Sequence, residues 1–437
     1  MKRVALAVLT FVFCVFFSGC SSFTAEINEY IVPPTPSGKL YDIQQALYGS
    51  VGTDITLRYP KNGDYKSAFV VRDIDGDAEE EALAFYSTLS SDNTTVMHIN
   101  LITKNGEHYT SVNDYSVECA GVNSVSFADI SGDGNPEIIV TWLIPSSPTD
   151  KISVFYYDNS TMTKYIEEEY LTYTVCDIDA RIGNELLIVS KDIEKGEGYA
   201  RLFEINEEDV LATSECFMDS DIQSYQKPVL STLKDGRNAV YIDAAKGTEG
   251  TVTELLFCDN EGNLINPFVK TKNDKNTETL RAAHTFSKDI NGDGIHEIPF
   301  ITQLPEIQDG EEREPLYLTE WRVYSGEEFE AVASSLIDYS EGYTIIIPNG
   351  WANKITAEKS EDGEKTVYLY NEKTEKIGEE IFRVKLISNE TWEGSPEKYQ
   401  GYFEAARSDK SVLAIFINQE SELDITKEYF LENSKFN

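Results

Sequence analysis

The chain has 437 residues, with 37 Lys and Arg against 76 Asp and Glu, giving a formal charge of −39 at pH 7. Nucleic acid is excluded as a partner, because its phosphates are held by Lys and Arg and so acidic a surface repels them within a Debye length; an acidic substrate is disfavoured for the same reason. Hydrophobic residues at 41% and aromatics at 11%, with 25 Tyr and 21 Phe, describe a folded, strand-rich chain rather than a disordered acidic one.

Lys2 and Arg3 precede an uncharged run from Val4 to Phe17, which has the length of a signal-peptide core and falls short of the roughly 20 residues that span a bilayer. The run ends in Phe17-Ser18-Gly19-Cys20, which resembles the lipobox of bacterial lipoproteins, with Phe where Leu is usual. The resemblance implies that residues 1–19 are removed and that Cys20 is lipidated, anchoring the exported protein to the outer face of a bacterial cell membrane. Two acyl chains hold stably where one does not, at about 0.8 kcal/mol per buried methylene. The plain alternative is a signal peptide cleaved nearby. Residues 20–39, with Ser21, Ser22, Pro33, Pro34, Pro36 and Gly38, read as a tether. Beyond Cys14 and Cys20 lie Cys119, Cys176, Cys216 and Cys258, without a CxxC or Cys/His cluster; these are expected as buried apolar residues, not as a zinc site or a disulfide framework.

From residue 40 to 340 one pattern repeats. Asp73-Ile74-Asp75-Gly76-Asp77 is followed by Glu81, Asp129-Ile130-Ser131-Gly132-Asp133 by Glu137, and Asp289-Ile290-Asn291-Gly292-Asp293 by Glu297, each between strand-like runs. Two weaker copies, Asp177-Ile178-Asp179 with Glu185 and Lys234-Asp235-Gly236, lie between them. Starts at 73, 129, 177, 235 and 289 are about 54 residues apart, near the length of a four-stranded propeller blade. The spacing leaves room for a second hairpin per repeat, as at 97–103 with 108–112. The expectation is a mainly β fold of about five four-stranded blades. A sixth blade falls in residues 40–60, or else Asp54 to Tyr59 supplies a strand that closes the ring.

The loops place oxygens at positions 1, 3, 5 and 9: Asp73, Asp75, Asp77, Glu81; Asp129, Ser131, Asp133, Glu137; Asp289, Asn291, Asp293, Glu297. Position 7, Glu79, Asn135 or Ile295, offers its backbone carbonyl. Glycine at position 4 permits a left-handed turn, and the Ile at position 2 can plug the core beneath. Such a curve suits a hard cation taking six to eight oxygens at about 2.3–2.6 Å. An EF-hand would need Glu at position 12, where Ala84, Val140 and Phe300 stand. Solvated acidic turns are the plain alternative, since Asp, Asn and Gly are common turn residues.

These loops resemble the FG-GAP repeats of integrin α-subunit β-propellers and the VCBS-type repeats of secreted bacterial propellers. The resemblance covers about 300 residues and implies Ca²⁺ at about three sites. In the third copy Ala180 and Arg181 replace Gly and the position-5 ligand, so a guanidinium is expected in the metal's place, paired with Asp177, Asp179 or Glu185. The fourth copy lacks positions 3 and 9; both are expected to be metal-free.

After Asp338-Tyr339 the signature stops, and residues 341–437 are expected to form a small α+β domain opening at Tyr343 and running through Pro348-Asn349-Gly350-Trp351. Strands are expected near 366–370, 380–386 and 412–417, and a helix over 424–433. The opening resembles small domains of bacterial lipoproteins similar to PsbP and Mog1. Trp351 fits either a core or a ligand pocket, as do Trp142 and Trp321 near strand ends. The segment Pro305 to Pro315 reads as a solvated insertion, with a partner-binding tip as the alternative.

No G-x-S-x-G elbow, P-loop, H-E-x-x-H or dinucleotide fingerprint occurs, and no catalytic residue is assigned. The sequence therefore favours a surface-anchored extracellular binding or adhesion module that takes a polysaccharide, peptide or protein and meets the membrane only through its lipid. An extracellular hydrolase or lyase built on the propeller, or a purely structural spacer, are the alternatives.

Overall fold

The computed structural model describes residues 38–437 apart from 92–93, 107, 159–160, 182, 206–209, 283, 308–312, 349 and 424. The leader, Cys20 and nearly all of the tether lie outside the described residues, as does the middle of the 305–315 segment. The chain divides into two compact units. Of the described residues, one comprises 38–59 with Ser67–Asp73 and Ala78–Glu118; the other comprises Pro60–Lys66, Ile74–Asp77 and Cys119–Asn437.

In the first unit, helix α1 (Lys39–Val51) buries Ile43 and Leu47, one turn apart, and stops at Gly52 with φ +85°. Strands β1 (Thr56–Leu57), β2 (Phe69–Arg72), β3 (Glu81–Leu89), β4 (Thr95–Asn105) and β5 (His108–Glu118) follow. They form an antiparallel sheet in the order β1-β3-β4-β5, with β2 also on β3. Residues 40–60 are thus a helix and a short strand pairing Thr56 with Ser87. They are neither a sixth blade nor, in the described pairing, a closing strand.

The second unit repeats the plan. β6 (Gly121–Ala128), β7 (Glu137–Leu143), β8 (Asp150–Tyr157) and β9 (Met162–Tyr170) form one antiparallel meander. β10 (Thr172–Cys176), β11 (Glu185–Asp192), β12 (Glu197–Ile205) and β13 (Val210–Met218) form the next. β14 (Ser224–Tyr225), β15 (Val229–Thr232), β16 (Asn238–Ala245), β17 (Thr251–Cys258) and β18 (Leu264–Ile265) form a third, in the order β14-β16-β17-β18 with β15 on β16. β19 (Ile298–Gln303), β20 (Tyr317–Tyr324), β21 (Phe329–Asp338) and β22 (Tyr343–Ile347) form a fourth. The last sheet runs β23 (Ile355–Lys359), β24 (Lys365–Asn371), β25 (Lys376–Ser388), β27 (Ser411–Ile417), β26 (Phe403–Arg407). Two short helices, α2 (Asn389–Gly394) and α3 (Lys427–Asn433), accompany it, and β28 (Ser434–Phe436) returns to pair with β22. None of these sheets closes on itself among the described residues.

Sheets of the second unit pack face against face in chain order. Ile139, Val154 and Ile166 meet Leu186, Ile188 and Phe203; Leu187, Val189 and Leu202 meet Val240, Ile242 and Leu256. Tyr241, Leu255 and Phe257 then meet Ile298 and Tyr324. β7, β11 and β16 are buried along nearly their whole length, and β17 at every position, so their apolar residues come in unbroken stretches such as 186–189 and 239–242 instead of alternating. Trp142 and Trp321 are fully buried, their indoles donating to Ser153 Oγ (3.0 Å) and Ser335 Oγ (2.8 Å). Both are core residues. Cys119, Cys176 and Cys258 are buried free thiols and Cys216 is a half-buried one, as expected.

The boundary expected at 340/341 falls inside a sheet: Ser335 pairs with Ile346 and Asp338 with Tyr343. Leu304, Leu318, Tyr343 and Ile345 also share one core with Trp351, Val367, Phe382 and Phe430. Trp351 therefore belongs to the core, and β22 is the outgoing strand of the preceding repeat.

Between β18 and β19 the chain makes a long excursion held by buried charge. Arg281, 3% exposed, donates from Nη2 to Asp243 Oδ1 (2.7 Å) and Thr253 Oγ1 (3.0 Å) and from Nη1 to the Thr279 carbonyl (2.9 Å). The other Asp243 oxygen accepts from Ser287 N and Oγ, both at 2.8 Å.

Candidate metal centres

Each acidic loop is closed by the strands around it. The residue before position 1 pairs with the Glu at position 9: Arg72 with Glu81, Ala128 with Glu137, Cys176 with Glu185 and Lys288 with Glu297. That Glu stands on the strand at the loop's base and is buried in every copy, with 3%, 0%, 2% and 0% exposure respectively. One of its oxygens ties the loop together: Oε2 accepts from Ile130 N at 2.7 Å, Ile178 N at 2.9 Å and Ile290 N at 2.9 Å. The Ile at position 2 is buried in all four, as its apolar character requires.

Backbone amides organise the other carboxylates. Asp129 accepts from Gly132 N (2.7 Å) and Gly134 N (3.1 Å), and Asp289 from Gly292 N (2.6 Å) and Gly294 N (2.9 Å). At position 5, Asp133 and Asp293 accept from the amides of Asn135 (2.7 Å) and Ile295 (2.8 Å). These bonds need left-handed backbone at position 4, where Gly76, Gly132 and Gly292 have φ of +76°, +75° and +81°. Position 6 is also left-handed, at Ala78, Gly134 and Gly294, a requirement the sequence pattern concealed. Ala180 holds φ +59° at position 4 of the third loop. Left-handed backbone costs a non-glycine residue roughly 1 kcal/mol, so Ala180→Gly is expected to raise stability by about that amount in a denaturant titration.

The oxygens left over face inward. Among the described residues Ser131 Oγ, Glu137 Oε1, Asp177 Oδ1 and Glu297 Oε1 are buried without a hydrogen-bond partner, although buried polar atoms are ordinarily paired. Among the described residues, three groups bring carboxylate oxygens within 4.8 Å of one another: Asp73, Asp75 and Glu81 of the first loop; Asp177, Asp179 and Glu185 of the third; and Asp289, Asp293 and Glu297 of the fifth. Such a set can hold a divalent cation. Asn291 lies beside the last, bonded to Asp293 Oδ2 at 2.9 Å. Asp77 is exposed outside its group, its amide on Asp75 Oδ1 (3.3 Å), and the Glu79 carboxylate takes Lys104 at 3.1 Å.

Two arrangements differ from expectation. The second loop, with Ser131 in place of a carboxylate, is not among the three groups; its Asp133 accepts instead from the Tyr156 hydroxyl at 3.1 Å. In the third loop Arg181 pairs with Asp179 as expected, Nε lying 3.3 Å from Oδ2 with Nη1 3.9 Å from Glu204, but Asp177 Oδ1 is left unpartnered and Asp177, Asp179 and Glu185 still gather as a group that could hold a cation, where a metal-free loop was expected. In the fourth loop Arg237 pairs with its own Asp235 at 2.7 Å. Neighbouring loops are also stitched edge to edge, Asn184 donating to the Asp129 carbonyl (2.9 Å) and Asn238 to the Asp177 carbonyl (2.7 Å). Neither Asn nor Tyr156 carries a motif that sequence reading could have found.

Burial, reinforced by neighbouring carboxylates, pushes Glu185 and Glu297 up from 4.5 to about 7, against the pull of the Ile178 and Ile290 amides. A carboxyl whose folded value exceeds its unfolded one adds stability that is full below about pH 4.5 and lost as the pH rises through 7. Chelated protein should therefore melt lower at about pH 8 than at about pH 5.5, and a divalent cation on the same oxygens should narrow the gap. A chelated protein that melts higher at the upper pH contradicts the assignment.

No family model and no curated protein matches the chain. Among solved structures it is similar to the crystal structure of a protein from Lactobacillus plantarum, at 10% identity over 74% of this chain and 93% of that one, with a TM-score of 0.28. No helix among the described residues is long and apolar enough to cross a membrane.

Proposed function

We propose that the protein is a calcium-stabilised binding module of the bacterial cell surface. The repeated sheets are the blades of an FG-GAP-like propeller, and the exported chain is anchored through a lipid on Cys20. One observation carries this reading: the strand–acidic loop–strand unit recurs with its position-9 carboxylate buried, and in the second and fifth loops one oxygen of that carboxylate, Glu137 Oε1 and Glu297 Oε1, has no partner. Oxygen-only donors in a flexible loop suit Ca²⁺ better than Zn²⁺, which takes nitrogen and sulfur, or Mg²⁺, which keeps its waters. Calcium here is structural, since three ions would return only part of the negative charge around them and leave little drive to ionise a bound water. The loops then fix the blade edges, and the partner, a wall polysaccharide, peptide or protein, is met by the loop-bearing faces.

Retention of the full chain on purified cell-wall polysaccharide, compared in millimolar calcium, millimolar magnesium and chelator, tests the binding role. Calcium-dependent retention supports it. Absence of retention on wall polysaccharide, peptide arrays and surface protein alike, with the protein folded in calcium, rejects it.

A further inference from the structure

A cavity of about 450 Å³ lies within the second unit, walled by the sheet of β19–β22 on one side and by β23 and β24 on the other. It lies apart from the acidic loops. At roughly 30 Å³ per liquid water it holds the equivalent of about fifteen, room for a ligand of about ten to fifteen non-hydrogen atoms. Its walls are mainly aliphatic, with Ile301, Leu316, Leu336, Ala357 and Val367 among them, as in small-molecule sites that recognise an apolar body and orient it through a few polar groups.

Those polar groups are arranged unequally. Lys365 is saturated, its ammonium donating to Asp338, to Glu341 (3.3 Å) and to the Tyr343 hydroxyl (2.8 Å). Asp338 is fixed in turn by Ser340 N (2.9 Å), Ser340 Oγ (2.6 Å) and Glu341 N (2.8 Å). Because Tyr343 accepts from Lys365, its own hydroxyl hydrogen remains to donate. Lys359 stands directly opposite Lys365 across β23 and β24. Its partner Glu314 is 3.9 Å away, beyond hydrogen-bond reach, with a side chain 74% exposed. The cavity therefore offers two donors, the Lys359 ammonium and the Tyr343 hydroxyl, while Asp338 is already occupied and Glu314, also in the lining, is turned largely to solvent, so an acidic head that the overall charge disfavours finds a local cation here. Tyr317 and Tyr339, 49% and 53% exposed, also line it.

The geometry points to a binding site for a small anionic amphiphile, an aliphatic body of about ten carbons carrying one carboxylate-like head, with the body among Ile301, Leu336 and Val367 and the head at Lys359 and Tyr343. This inference does not depend on the calcium reading. A second aliphatic tail would exceed the volume, and a cationic head would meet Lys359.

Isothermal titration of the full chain with decanoate, decanol and decylammonium, each kept below its micelle concentration, tests it. Decanoate should bind at one equivalent with a negative heat-capacity change, decanol about tenfold more weakly, and decylammonium weakest. Ala357→Trp, which fills the void from a half-buried strand position, should abolish binding while circular dichroism and melting show a folded protein. Lys359→Gln, a change at the rim, should cost decanoate about tenfold and leave decanol unchanged. No decanoate heat up to millimolar concentration overturns the proposal, as does decanoate binding that survives both substitutions. Equal affinity for decylammonium overturns the anionic head.

Discussion

Chelating calcium from the full chain is expected to lower its melting temperature by several degrees, and millimolar calcium to restore it where magnesium restores little. A site with a dissociation constant of about 0.1 mM, met by about 1 mM calcium, adds about 1.4 kcal/mol to the folded state, so three such sites add about 4 kcal/mol. The sign rests on the loops themselves. Asp289, Asp293 and Glu297 lie within one small sphere of oxygens, and Glu297 is fully buried. Without a cation these groups must keep a proton or repel one another. The effect is therefore expected to grow with pH, and scanning calorimetry at two pH values with and without calcium reads both terms.

The second large effect concerns a pair that no motif announces. Arg281→Met should destabilise the protein by about 3–5 kcal/mol, because it strands the Asp243 carboxylate, 7% exposed, without its cation. It also removes the bonds to Thr253 Oγ1 and the Thr279 carbonyl that hold the excursion between β18 and β19 against the sheet. Asp243→Leu alone should cost a similar amount, and the double variant much less than the two together, since a buried ion pair exchanged for apolar groups of like size is often near neutral. Urea unfolding of the two single variants and the double variant measures this. Single changes costing under about 1 kcal/mol would mean that the excursion is held by other contacts.

What could be read from sequence was local. Glycine at position 4, Ile at position 2 and Glu at position 9 lie within one turn of chain, and each has its own chemical reason, so the loops, their spacing and the strands around them stood out. The loop geometry beyond that depends on residues the pattern treats as filler: Ala78 and Gly134 carry a second left-handed turn, and Tyr156 reaches Asp133 from a strand two elements on. Helix α1 did carry a signal, Ile43 and Leu47 at helical spacing ahead of Gly52, but two apolar positions are faint beside the strand-rich repeat that follows.

The domain boundary was unreadable for a different reason. β22 pairs backward with β21, while Tyr343 also meets Phe436 near the end of the chain, and a pairing across that many residues leaves no periodicity at either end. The loss of the acidic signature at residue 340 marks the end of the loops, not the end of the sheet that carries the last of them. Arg181 shows how far substitution logic reaches: the guanidinium meets Asp179 as a cation at a ligand position should, yet its side chain is 57% exposed and runs on toward Glu204, and the three carboxylates of the loop stay gathered.

Calorimetric titration of Ca²⁺ into the chelator-stripped chain, repeated with Asp75→Ala and Asp293→Ala in the first and fifth loops, is the decisive measurement. About three ions are expected to bind the unaltered chain and about one fewer each variant, with heat-capacity changes too small for refolding. An absence of calcium heat, together with a melting temperature indifferent to calcium, would contradict it and reduce the loops to acidic turns.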